Sequence, residues 1–186
     1  EEELIENKRE VARRCIFGVD VNPLAVDLCK LSVWLETLSS DKPLTFLSAH
    51  LKNGNSLIGG NVEEIFNPQT TLVESDKGRS HFKNNVKKFF IFENLDDNSS
   101  SSVKTKVENY AKMTSPGTGF YNLNFLLGLK TCQDFGWEVP PIGDFFEKIG
   151  ENSMDFYTDN SFEKIKNEYE KRRFFHWEIQ FPSIFY

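Results

Sequence analysis

The chain has few cysteines. Cys15, Cys29 and Cys132 are odd in number and far apart, and no Cys-x-x-Cys pair occurs. That spacing suggests neither a disulfide framework nor a zinc ribbon. Reduced thiols fit a cytoplasmic protein. Cys15 and Cys29 lie in apolar runs and are expected as small core residues. Long apolar runs are missing too. A membrane helix needs about 18 consecutive apolar residues, and Asp20, Asp27 and Lys30 interrupt the best candidate. We therefore expect no membrane segment. The opening Glu1-Glu2-Glu3 has the wrong sign for the basic start of a secretion signal. Positive charge is in deficit. The net charge of −6 gives no compositional footprint for nucleic-acid binding, although a local basic face stays open. His50, His81 and His176 do not form a metal-ligand spacing, so no metal site is expected.

What is present fits a soluble globular domain or part of one. Apolar residues make up 39% and charged residues 27% of the 186 positions. The 18 phenylalanines lie mostly after residue 80. They read as core, because aromatic side chains carry much of a domain's buried area. With no starting Met, and a helix already under way, we expect an internal fragment of a longer chain.

Residues 2–14 have the pattern of an amphipathic helix, closed by Arg13-Arg14 where basic side chains suit the helix dipole. Cys15-Ile16-Phe17-Gly18-Val19 shows no polar alternation. That predicts a strand buried on both faces, as in a parallel sheet. Asn22 is a good N-cap, and Pro23 suits the first helical position. Leu24, Leu28, Leu31, Leu35 and Leu38 then recur at spacings of four and three, one apolar stripe of a helix expected to be mostly buried. Ser39 to Pro43 break it. A short strand is expected around His50–Lys52, then a turn at Asn53-Gly54-Asn55-Ser56 and a stop at Gly59-Gly60. Helix, strand, helix, strand, turn is a slice of a doubly wound α/β fold.

Residues 61–170 lack that alternation and read as a mainly helical insertion. Helices are expected over 79–94 and 101–113, with a mobile loop between them. Pro140-Pro141 is a hard stop, Phe162–Phe174 a last helix, and the closing aromatic run extended.

Asp20 closes an apolar strand, and in open α/β sheets ligands bind beyond the C-terminal strand ends. An acceptor-only carboxylate there can take two hydrogen bonds from the ribose hydroxyls of a nucleoside. Alternatively Asp20 caps the turn with Asn22. Asn55 follows the next strand. Its amide can pair with adenine, accepting from N6 and donating to a ring nitrogen. It can equally be an ordinary Asn-Gly-Asn turn residue.

The stretch CIFGVDVNPLAVDLCKLSVWLETL, with PLTFLSAHLKNGNSLIGG after it, resembles the adenine-specific DNA methyltransferases of type IIG restriction-modification systems and related phage-defence methylases. The closing FFHWEIQFPSIF resembles the segment that leads into that family's catalytic strand. The resemblance implies an α/β fold: a partial class I (Rossmann-like) methyltransferase core over 1–60, a mainly helical insertion over 61–170, and a return to the core over 171–186. It implies S-adenosyl-L-methionine as cofactor, with Asp20, beside Val21 and Asn22, at the ribose, and Asn55, Ser56 and Leu57 at the adenine. It implies double-stranded DNA as partner, and nuclease or target-recognition domains in the same polypeptide. The family's glycine-rich loop and its Asn-Pro-Pro-Tyr motif have no match here. No catalytic residue is therefore expected in this chain, and it is expected to be inactive alone. A non-catalytic DNA- or protein-binding scaffold is one alternative. Another is a fragment of a nicotinamide-dependent oxidoreductase, whose second strand also ends on an acidic residue.

Lys83, Lys87 and Lys88 lie on one possible helix face, and Lys164, Lys166, Lys171, Arg172 and Arg173 on the last helix. Glu163, Glu168 and Glu170 interleave with the second group, the spacing of a solvated face laced by charge pairs.

Overall fold

Pro23 decides where the crossover begins. It has no amide hydrogen to satisfy and its fixed φ suits a first helical turn. In the computed structural model, which describes residues 2–66, 75–139 and 160–186, helix α2 spans Pro23–Glu36 with Asn22 as N-cap. It joins two parallel strands, β1 (Gly18–Asp20) and β2 (Leu51–Asn53). Gly18 pairs with Leu51, Val19 with Lys52 and Asp20 with Asn53. Helix α1 (Glu2–Arg14) precedes this β-α-β unit. The other regular elements of the described chain are helices: α3 (Val62–Phe66), α4 (Ser75–Glu93), α5 (Ser100–Thr114), α6 (Gly119–Asp134), α7 (Asn160–Arg172), α8 (Trp177–Gln180) and α9 (Pro182–Phe185). The architecture is therefore α/β with a small parallel sheet in a mostly helical chain. The Pro140-Pro141 stop and the side chains of His81 and Lys164 fall outside the described residues.

The chain divides into two compact units, Glu1–Gly54 with Phe90–Met113, and Asn55–Phe89 with Thr114–Tyr186. In the first, Val26, Leu47 and Leu51 form a core joined by Ile16, Val33 and Trp34. Arg9 is buried on α1, and its guanidinium donates to the carbonyls of Thr37 and Pro43 at 3.4 and 3.0 Å. Those bonds tie α1 to the breaker after α2, and the Trp34 indole adds a bond to the Thr45 carbonyl at 2.7 Å. Lys52 is buried on β2 beside the Tyr110 ring, and loss of water pushes its ammonium down to about 7.

The second unit is built around α6, which is buried on nearly every side from Phe120 to Cys132. Helices α3, α7 and α8 pack on it. Phe82, Phe89, Phe120, Phe125, Phe174, Phe175 and Phe181 are all buried there, as expected of core, whereas Phe135 and Phe185 are about half exposed. On α7, Lys166, Lys171 and Arg172 pair with Glu170 and Glu168, as the interleaved charges suggest.

Five expectations are corrected. The strand predicted over residues 15–19 is three residues, shifted to Gly18–Asp20 and only half-buried, because among the described residues it has one neighbouring strand. The leucine stripe of α2 is not buried. Leu24, Leu28, Leu31, Leu35 and Leu38 are 48–65% exposed. Val26, Val33 and Trp34 turn to the core instead, which leaves the leucines on the far side of the helix. Periodicity marks an apolar face but does not say what covers it. Cys15 and Cys29 are exposed, one just past α1 and the other on the outer side of α2; Cys132 is buried. The loop between α4 and α5 is anchored. Asp97 is 3% exposed and lies 3.8 Å from Arg13 and 4.0 Å from buried Lys106. The closing aromatic run is not extended but forms two single-turn helices, the second opened by Pro182.

Candidate functional site

The residues expected at the ribose sit in one tight turn. The Asn22 amide donates to Asp20 Oδ1 at 2.7 Å, and the Leu24 amide to Asn22 Oδ1 at 3.0 Å. Asp and Asn side chains hold their own chain two residues on, which is why these types start helices. The structure thus bears out both capping readings. It also leaves Asp20 something to spare. The residue is exposed, and its second carboxylate oxygen accepts no hydrogen bond among the described residues. The first turn of α2 lies directly after it, and a helix N-terminus favours negative charge.

Asn53 was read only as part of a turn, and it does more. Its amide nitrogen donates to the carbonyls of Asp20 and Val21 at 2.8 and 3.1 Å. The Gly54 amide adds a bond to the Asp20 carbonyl at 2.9 Å. The tip of β2 therefore fixes the backbone beneath the Asp20 carboxylate. Val21 and Asn22 are exposed beside it.

Asn55, Ser56 and Leu57 belong to the second unit and share one turn there. Asn55 Oδ1 accepts from the Leu57 amide at 3.1 Å, and the Asn55 carbonyl accepts from Ile58 at 3.2 Å. The side-chain nitrogen of Asn55 donates to nothing among the described residues, and one lone pair of Oδ1 is left. Leu57 stands at the turn's tip, 91% exposed. The structure therefore brings Asp20, Val21 and Asn22 together in one group and Asn55, Ser56 and Leu57 in another. Each group keeps spare hydrogen-bonding capacity of the type expected of it.

A family model described as Eco57I restriction-modification methylase matches residues 14–185. The chain belongs to the Eco57I restriction-modification methylase family. No curated protein and no solved structure matches it. Membership supplies the general activity, methyl transfer in restriction-modification. The match spans both turns and the closing aromatic segment.

That segment contributes what sequence reasoning missed in this methylase-family chain. His176 is completely buried, and its Nδ1 accepts from the Gly60 amide at 3.0 Å. Burial pushes its imidazole down to about 3, so it stays neutral. Its ring packs 5.9 Å from that of Tyr169. The hydrogen bond to a turn 116 residues earlier had no sequence signal. Among the described residues no group of three or more His, Cys, Asp or Glu could hold a metal ion, and no helix is long and apolar enough to cross a membrane.

Proposed function

We propose that these residues are an internal part of a DNA adenine-N6 methyltransferase of a restriction-modification or defence system, and that they supply the ribose and adenine side of an S-adenosyl-L-methionine pocket. The observation that carries the reading is the exposed Asp20 carboxylate at the tip of β1, with one oxygen uncommitted, in a chain of a methylase family. On this reading residues 1–60 are a partial class I (Rossmann-like) core, 61–170 an insertion, and 171–186 the return to the core. Asp20 accepts from the ribose hydroxyls, with Val21 and Asn22 alongside. Asn55 donates its spare amide hydrogens to the adenine ring, flanked by Ser56 and Leu57.

Bound S-adenosyl-L-methionine would supply a methyl group made electrophilic by its sulfonium. The protein residues named here only hold the adenosine end. They orient the donor; none of them moves a proton, and none is catalytic. The partner is double-stranded DNA, whose target base must leave the stack to be reached. The exposed Lys83, Lys87 and Lys88 of α4 are available for phosphate contact. Exposed free Cys15 and Cys29 suit a cytoplasmic setting.

The test uses a polypeptide that joins this segment to a glycine-rich loop and an Asn-Pro-Pro-Tyr motif. Equilibrium binding of S-adenosyl-L-methionine and labelled-methyl transfer to DNA are both measured. Asp20→Ala is expected to lower cofactor affinity by about 100-fold, the scale of two hydrogen bonds to a charged acceptor. Undiminished binding in that variant would reject the assignment. A polypeptide that binds DNA but no cofactor would leave a scaffold role standing instead.

A further inference from the structure

Residues 173–178 meet the turn at 55–62 bond by bond. The Asn55 amide donates to the Arg173 carbonyl at 2.6 Å, and the Phe175 amide to the Ile58 carbonyl at 2.8 Å. The Gly60 amide donates to His176 Nδ1 at 3.0 Å. The Trp177 indole donates to the Ser56 carbonyl at 3.1 Å, and the Val62 amide to Glu178 Oε2 at 2.6 Å. Five backbone groups of the turn are thus satisfied by one distant segment. Backbone groups in a turn lack ladder partners, so their partners decide how firmly the turn is set.

We propose that Arg173–Glu178 is a positioning clamp for the adenine-side turn, with His176 and Trp177 as the positioning residues that act through it. This rests on the assignment of Asn55 to the cofactor's adenine. Neither side chain needs to touch the cofactor. Their work is to hold the Asn55 amide where a base edge can be met, because a recognition group must be fixed to within about 0.5 Å by the residues behind it.

Three features fit a built device rather than casual packing. Arg173 takes a left-handed backbone conformation, φ 55°, uncommon without glycine, and its carbonyl is the one that receives the Asn55 amide. Gly59 leaves no room for a side chain: a Cβ there would lie 2.1 Å from the Phe175 carbonyl oxygen. The Trp177 ring, 38% exposed, rests against Phe175 and Phe181, at 5.2 and 5.8 Å between centroids, and these contacts orient its N–H.

The test has two arms. Amide hydrogen exchange of the 186-residue chain reads the clamp directly. His176→Leu and Trp177→Phe are expected to speed exchange at residues 55–62 by at least about tenfold, the effect of losing a satisfied bond, while α6 keeps its rates. His176→Asn, whose side-chain oxygen can replace Nδ1, restores slow exchange. Should His176→Leu not fold, Trp177→Phe, which keeps the ring, carries this arm alone. In the methyl-transferring polypeptide, Trp177→Phe raises KM for S-adenosyl-L-methionine about tenfold with kcat retained, the mark of lost ground-state binding. Unchanged exchange at 55–62 overturns the clamp. So does faster exchange with an unchanged KM when Asn55→Ala raises it, since the turn's setting would then not matter to binding. An unchanged KM in Asn55→Ala removes the adenine assignment itself, and the positioning role with it, while any exchange effect would remain as purely structural.

Discussion

The turn after β1 and the turn after β2 are held by opposite means. Asp20 and Asn22 fasten the first with side-chain bonds that reach two residues along the chain, and the neighbouring strand tip braces its backbone through Asn53 and Gly54. The second takes Asn55 Oδ1 to Leu57 and the Asn55 carbonyl to Ile58 from its own residues, and otherwise depends on partners 116 to 121 positions away. A turn of the first kind carries side-chain fastenings of its own, to which the adjoining strand tip adds. A turn of the second kind has a shape only inside its unit, and any change to the distant partner reaches it.

The largest expected effect comes from breaking the closest approach in the second turn. Gly59→Ala places a methyl against the Phe175 carbonyl and should cost about 2–3 kcal/mol, the scale of an overpacked core. Urea unfolding checks it. A loss below about 0.5 kcal/mol, the scale of an ordinary surface change, would mean that the two segments are not closely apposed.

Acid gives the next effect. His176 in the folded chain is pushed from its ordinary 6.5 down to about 3 by burial. Between those values the unfolded chain binds more protons, so stability is full above pH 6.5 and falls as pH drops toward 3. His50, buried and pushed down to about 4, adds a loss of the same sign. His176→Asn should remove the share owed to His176, about 2 kcal/mol between pH 7.5 and pH 5. Parallel curves for the two proteins would contradict it.

Asn22→Ala tests the locally fastened turn. It should cost about 1 kcal/mol, as lost N-caps do. Faster amide exchange should stay within the first turn of α2, with residues 55–62 unaffected. Leu57→Ser should change stability least, by under about 0.5 kcal/mol, because the side chain is almost wholly in water. A larger loss would show that the tip of the second turn is not free.

The same contrast explains what was legible in the sequence. Pro23 behind Asn22, the basic close of α1 and the charge ladder of α7 are short-range signals, and each appears where it was expected. The helical character of α4 and α5 was readable for the same reason. The leucine stripe of α2 was seen correctly as apolar and placed wrongly as buried. Hydrophobic spacing is local, whereas burial depends on what else packs there. Cys29 failed in the same way. The closing aromatic run carries few polar residues to set a period, so it read as extended, and only packing coils it into α8 and α9. At the candidate site Asp20 and Asn55 were legible as residue types at strand ends. The roles of Asn53, Gly59, His176 and Trp177 were not, because each is defined by a partner remote in sequence or by backbone.

The hydrogen bond between Gly60 and His176 also sets an order of events during synthesis. A ribosome delivers the first turn with its own side-chain fastenings and, 32 or 33 residues later, the bracing Asn53, so that part can settle while translation continues. The second turn emerges early and must wait for more than a hundred further residues before its latch exists. Closing so long a loop carries an entropic cost of a few kcal/mol, growing only slowly with length. A nascent chain stalled before Arg173 would therefore carry one finished turn and one still open.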